Sequence, residues 1–506
     1  MQGTKKIVTN TAYLYIRLIF VLFISLFTVR IVLGALGEID YGIYNVVCGF
    51  VSMFGFLNTS MTNGVQRFYN YSLGKNKGES IGMIFTTSLY IQAALAVILI
   101  VLVESIGLWY VNNVMVLPAE KLSVANFLFQ FSLIGLLLSF LQIPYSAAVV
   151  AYERMNYYAF VGIVDAVAKL GIAYAITITP ERLFYYGLFL LCVNIVNFLL
   201  FFYYASHNFK NLRLIGRANK KLAKKMLSFT GWNTFGSFAY IVRWQGVNVL
   251  MNAFFGVIVN AANGIASQVS SALAYFSGNL ILAFKPQLTQ SYAAMDYKRT
   301  QYLWFLMTKV SYALVLTLSI PIVLEIDYIL NIWLGGNVPD YTTTFSVLVV
   351  ITVILGCFHS PIVQIIHATG KMRNFQIVTS AIIISVLPLS WLCFVMGLNP
   401  NWAYWVTIIV YIVNQLAGMI MVKRYFDYSY SSYVKDVVLR CALFTIITPI
   451  AAIILELLMQ PSFIKLIAIC LITALIASGS AYLVILDKVE KKLITNIIKK
   501  YIGLWF

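Results

Sequence analysis

The chain of 506 residues is 61% hydrophobic and only 10% charged, with a mean hydropathy of +0.87. That composition excludes a water-soluble globular domain and a disordered chain, and describes a protein that crosses a bilayer many times. The formal net charge of +18 would suggest nucleic acid in a soluble protein, but here the basic residues segregate by membrane side and no nucleic-acid partner is expected.

A bilayer core about 30 Å thick takes roughly 20 apolar residues per helix. About fourteen such runs follow one another along the chain. They lie near residues 10–36, 41–68, 81–111, 122–150, 157–178, 183–205, 229–254, 257–282, 302–324, 342–366, 375–396, 402–422, 437–458 and 464–486. The first run contains Arg17 and Arg30 and has no small-residue cleavage site behind a short core, so it reads as a transmembrane helix rather than a removable signal. The six cysteines are scattered through the runs without paired spacing, and His207, His359 and His367 form no ligand cluster. Neither a disulfide framework nor a metal site is expected, and no cofactor. His359 and His367 read as pore-facing or buried polar groups.

Alternating the connections from a cytoplasmic N terminus puts about 27 of the 35 basic residues inside, a strong positive-inside bias. Both termini are then cytoplasmic. HNFKNLRLIGRANKKLAKKM, from His207, carries basic and no acidic residues and lies on anionic membrane lipid as a topology determinant. It divides the chain. The expected organisation is an N-terminal six-helix lobe (1–206), a basic cytoplasmic linker (207–227), a C-terminal six-helix lobe (228–424), and two extra helices with a basic tail (425–506). QIPYSAAVVAYERMNYYAF from Gln142 aligns without gaps on HSPIVQIIHATGKMRNFQI from His359, sharing Pro144/Pro361, Ala151/Ala368 and Met155/Met372. LGEIDYGIYN from Leu36 matches FGVIVNAANG from Phe255 at nearly the same offset. An all-α polytopic membrane protein follows, with two six-helix lobes as a parallel pseudo-repeat plus two C-terminal helices.

An arginine at the centre of a span costs about 2.5–3.5 kcal/mol, so such residues face protein or water. Arg243 lies mid-helix in FAYIVRWQGVNVLMNAFF, with Gly236, Ala239 and Gly246 on its face and Gln245, Asn248 and Asn252 opposite. Arg17 and Arg30 lie near the ends of their run, where snorkelling to headgroups and lining a cavity are both open. Lys309, near the cytoplasmic end of its span, is expected to snorkel. Asp165 and Lys169 are one turn apart mid-span. They read either as a mutually neutralised pair or as a switchable pair that couples transport to an ion. Asn58, Asn63 and Gln66 in the second span correspond to Asn260, Asn263 and Gln268 in the eighth, as a polar cavity shared between repeats would require.

RIVLGALGEIDYGIYNVV from Arg30, FFGVIVNAANGIASQV from Phe254 and NIWLGGNVPDY from Asn331 resemble the bacterial polysaccharide transporter family. That family includes O-antigen and capsule repeat-unit flippases, and shares a superfamily with multidrug and toxin extrusion proteins. The resemblance implies an inner-membrane protein whose two lobes alternate access to a central cavity. It implies transport of an undecaprenyl-diphosphate-linked oligosaccharide from the cytoplasmic to the periplasmic leaflet, driven by a proton or sodium gradient, with polysaccharide polymerases as partners. On that expectation Arg243, with Arg17 or Arg30, holds the diphosphate, because guanidinium forks match phosphate oxygens. Asn248, Asn252, Asn63, Gln66 and Asn263 hold sugar. The chain has no GxxxxGK[ST] loop for ATP, and no enzymatic step is expected. Two alternatives stand: a multidrug extrusion antiporter, which would use intramembrane acids against cationic drugs, and a membrane-embedded glycan polymerase or ligase, which would need a catalytic outer loop.

Overall fold

The structure is a computed structural model that describes residues 2–52, 54–75, 81–113, 119–216, 218–334, 338–487 and 490–491. Hydrocarbon offers the backbone no hydrogen-bond partner, so each apolar run must close its own bonds as a helix, and among the described residues there is no strand. The main helices are α1 (Gln2–Ser52), α2 (Gly55–Lys75), α3 (Ile81–Asn113), α4 (Leu122–Ala151), α5 (Met155–Ala175), α6 (Arg182–Asn208), α7 (Lys220–Ala293), α8 (Tyr297–Leu324), α9 (Ile326–Leu334), α10 (Thr342–Thr369), α11 (Met372–Ile384), α12 (Val386–Val395), α13 (Trp402–Tyr425), α14 (Tyr430–Tyr433), α15 (Leu439–Ile447), α16 (Ile450–Leu458) and α17 (Phe463–Ser480).

Among the described residues, eleven helices are long and apolar enough to span a membrane, or twelve if the bent pair Asp40–Val51 and Gly55–Lys75 is one span. The chain is a multi-pass membrane protein. The sequence leads one to expect fourteen spans, and the difference lies in α7, which holds the seventh and eighth of them. Its arginine, asparagines, glutamines and serines keep it below the hydropathy that marks the others.

At 74 residues α7 would be far longer than a bilayer is thick, and it is broken at Gly256 (φ 80°, ψ −170°). Asn263 beyond the break donates to Asn248 before it, so the chain reverses there and the two arms lie side by side. α1 breaks in the same way at Gly37 (φ 75°, ψ 172°). These are the two glycines that the internal match places opposite each other. The second match holds equally well. Pro144 and Pro361 lie inside α4 and α10, Arg154 and Lys371 have nearly the same backbone (φ −86°, ψ 57° and φ −93°, ψ 65°), and the residues before them, Glu153 and Gly370, are both left-handed. Two six-helix lobes with a repeated backbone result.

By packing, the chain divides into residues 1–237 with 285–296, and residues 238–284 with 297–506. In the first unit α4 is central, packed on α2, α3 and α6, and its run Ala147 to Ala151 is buried because small side chains let neighbouring helices approach closely. In the second, α10 packs on α8 and α13. Large apolar side chains such as Phe23, Val101 and Leu475 are exposed, as a lipid-facing surface requires.

Within the second unit the last helices are fastened by buried charges. Lys465 on α17 meets Glu325 at 2.9 Å, with side chains 4% and 2% exposed, and Glu456 at 3.6 Å. Lys309 on α8 does not snorkel. It is buried and pairs with Asp487 at 3.2 Å and Glu490 at 3.5 Å, so a carboxylate pair from the chain's end reaches it before the headgroups do. Burial pushes the Glu490 carboxyl above the ordinary carboxylate range despite the pull of Lys309.

Backbone at these glycine dihedrals is closed to other residues at a cost of about 1–3 kcal/mol. Gly256→Ala and Gly37→Ala should each lower the thermal midpoint in scanning fluorimetry, whereas Gly34→Ala, with open space around it, should not. Lys465→Met strands Glu325 and should cost about 3–5 kcal/mol, most of which Lys465→Met with Glu325→Leu should recover.

Candidate functional site

Arg243 sits on the first arm of α7, 8% exposed, and lines a cavity of about 210 Å³ enclosed by both arms of α7, α10 and α13. Its guanidinium lies 5.5 Å from the ring of Trp244 and 5.6 Å from that of Tyr411. Its Nε has no hydrogen-bond partner, and it is the only charged side chain in the described lining. Two aromatic faces recover about 0.5–2 kcal/mol each, but they leave the donor edges of the guanidinium free for an anion. Beside it runs a polar chain. The Tyr404 hydroxyl donates to Asn263 Oδ1, Asn263 Nδ2 to Asn248 Oδ1, and Asn248 Nδ2 to Gln245 Oε1 at 3.4 Å. Gly246 serves a neighbour instead, since a Cβ there would come within 2.5 Å of Leu387 on α12. A second polar group continues the same face. Tyr240 meets His359 Nε2 at 2.9 Å, and Asn414 bonds to both at 3.4 and 3.5 Å.

The other sequence-selected residues lie elsewhere. Asn252 and Arg30 are exposed, and Asn252 is absent from the described cavity lining. Arg17 is half-buried, with its guanidinium 5.0 Å from the Tyr158 ring and its Nε against Gly162. Asn63 accepts from Lys285 at 2.5 Å. Gln66 is buried, with Nε2 unpartnered. Asn58 donates to Ser139 at 2.8 Å, Gln268 is exposed, and the side chain of Asn260 lies outside the described residues.

Asp165 holds Lys169 at 2.8 Å on one oxygen and accepts from Asn197 at 2.7 Å on the other. Lys169, with Asn194, Ser132 and Ser139, lines a second cavity of about 310 Å³ in the first unit. The two cavities differ in charge. One holds a lone cation, while the other holds a cation already neutralised by a carboxylate.

Sequence reasoning found Arg243 and Asn263 but missed their companions Tyr404, Tyr411 and His359, and it passed over Lys285. A signal for the first set was present. Tyr404, Thr407, Tyr411 and Asn414 recur at helical spacing along an otherwise apolar α13, and Thr352, Gly356 and Ser360 do so along α10. Lys285 gave none, because next to a proline at a span end it reads as another inside lysine.

A Cβ added at Gly162 would lie 2.1 Å from Arg17 Nε. Gly162→Ala should therefore displace Arg17 from Tyr158 at a cost of about 1–3 kcal/mol. Arg17→Ala should largely abolish that cost in a double-mutant cycle read by thermal unfolding.

No protein-family model and no curated protein matches the sequence. Solved structures do match. A multidrug-resistance MATE transporter of the MOP superfamily in an outward-facing conformation is 13% identical over 86% of this chain and 97% of its own, with a TM-score of 0.70. A MATE protein in a bent conformation is 12% identical over 84% of this chain and 96% of its own, also at 0.70. A MOP-superfamily transporter from Pyrococcus furiosus, for which a reversed polarity of the binding pocket suggests a different function, is 11% identical over 84% and 97%, at 0.68. At such identities the likeness is one of fold, and the fold of this chain is that of the MATE transporters of the MOP superfamily.

Proposed function

We propose that the chain is a membrane transporter that receives an anionic headgroup at Arg243 and carries it across the bilayer, with an undecaprenyl-diphosphate-linked oligosaccharide as its substrate. The observation that supports this reading is a buried guanidinium with a free Nε and no carboxylate in its described cavity lining. A cation held at bilayer depth with only aromatic faces for company is explained by an anion that visits it. Asn263 and the hydroxyls around it supply donors and acceptors suited to the first sugar, and Trp244 and Tyr411 supply rings for its apolar face. The cavity of about 210 Å³ suits a headgroup rather than a whole repeat unit. The lipid tail would stay in the bilayer. On this reading the basic termini and the segment 207–227 face the cytoplasm, and the membrane is the bacterial inner membrane.

A multidrug extrusion antiporter is the second reading, and the fold comparisons favour it, since the solved relatives include multidrug transporters. A cationic drug needs an acid. Asp165, beside the 310 Å³ cavity, is the carboxylate at hand, although Lys169 already occupies one of its oxygens.

Hydrogen bonds to a charged group are worth about 1.5–3 kcal/mol, so Arg243→Gln should lower transport of the lipid-linked oligosaccharide by about 10- to 100-fold while the protein still inserts. A deletion strain should accumulate that intermediate and keep its drug tolerance. Drug sensitivity without accumulation, restored by the Arg243→Gln protein but not by Asp165→Asn, would decide for extrusion.

A further inference from the structure

Lys285 lies on the second arm of α7, 4% exposed and directly before Pro286. Its Nζ donates to one group, Asn63 Oδ1 on α2 at 2.5 Å, and no carboxylate pairs with it among the described residues. Buried lysines elsewhere in the chain, Lys309 and Lys465, each have two. The charged groups that neighbouring elements bring to this end of α7 are otherwise engaged. Arg67, one turn along α2, lies over Phe68, Tyr71 and Phe229 at 5.0–5.2 Å. Glu153, at the turn between α4 and α5, accepts from Gln287 at 2.5 Å and pairs with Lys6 at 3.2 Å. The approach is close. Gly64, next to Asn63, leaves so little room that a Cβ would meet Thr230 Oγ1 at 2.3 Å.

An unpaired ammonium in such a place costs several kcal/mol, whereas the neutral amine keeps its N–H···O bond to Asn63 without that penalty. Lysine can discharge in this way and arginine cannot. We propose that Lys285 is a proton-binding site of the transport cycle, neutral while packed on Asn63 and protonated when this end of α7 leaves α2. The proton moves between Nζ and water, leaving the lone pair on nitrogen, and no other group changes charge. Pro286 removes a backbone bond at the next residue and gives the helix a point at which to bend. The inference rests on the reading of the chain as a transporter, but its test does not require transport.

The test is carbon-13 NMR of lysine Cε-labelled protein in nanodiscs, with the Lys285 signal assigned by its loss in Lys285→Gln. The signal should report a neutral amine at the alkaline end of a titration between about pH 6 and 9 and gain charge toward the acid end. Asn63→Asp, which supplies the missing carboxylate and leaves Lys285 in place, should keep it charged throughout. A wild-type signal charged across the whole range overturns the proposal, as does an Asn63→Asp signal that titrates like wild type. If Lys285→Gln does not fold, the resonance that differs between wild type and Asn63→Asp provides the assignment. Failure here would leave the Arg243 experiment untouched, because that variant is read by substrate transport alone.

Discussion

A low dielectric sets the terms for every charged group in this chain. Two unit charges attract far more strongly there than in water, yet bringing either one in alone costs more than a typical helix contact returns. Asp165 with Lys169, Lys465 with Glu325, and Lys309 with Asp487 and Glu490 each meet that condition by pairing. Arg243 meets it only in part, with aromatic faces, and Lys285 only with a neutral amide. The distinction separates structural charges from working ones. A pair is satisfied in one arrangement and gains nothing by moving, whereas an incompletely satisfied cation has a reason to meet something that comes and goes.

The backbone around these charges is built to a repeated plan. Gly37 and Gly256 adopt the same dihedrals, which only a residue without Cβ holds at low cost. In α7 that reversal does more than turn the chain. It sets Asn248 against Asn263 and brings residues from both arms, among them Arg243 and Ser277, to one cavity. A single continuous helix would have left Arg243 facing lipid or an apolar neighbour, where nothing could bind it.

Much of the fold was legible in the chain because its signals are local or periodic. Apolar runs gave the helices, and the matches around Pro144/Pro361 and Leu36/Phe255 located turns whose backbones agree. The span count was less legible, since α7 carries the polar residues of the site and so looks less like a membrane segment the more it does. The site itself was legible only where one residue violated its surroundings, as Arg243 does. Tyr404 and His359 violate nothing, and their importance lies in which helices the fold brings together. Asn63 shows the same limit from the other side. Its type suggested sugar, but its partner is Lys285, more than two hundred positions away, and no local pattern reports such a pairing.

The turn between α4 and α5 has a counterpart between α10 and α11, and the two copies are not equivalent. The second copy uses Gly370 at its left-handed position, the residue that conformation favours. The first puts Glu153 there, at φ 58° and 5% exposed, and accepts about 1–3 kcal/mol of backbone strain to do so. In return a carboxylate ties the start of α1, through Lys6, to the end of α7, through Gln287. The duplication therefore preserved a trace and not a chemistry. Exchanging the two turns would leave the path of the chain almost unchanged while removing the knot that joins three distant segments in one half and placing an orphan acid in the other.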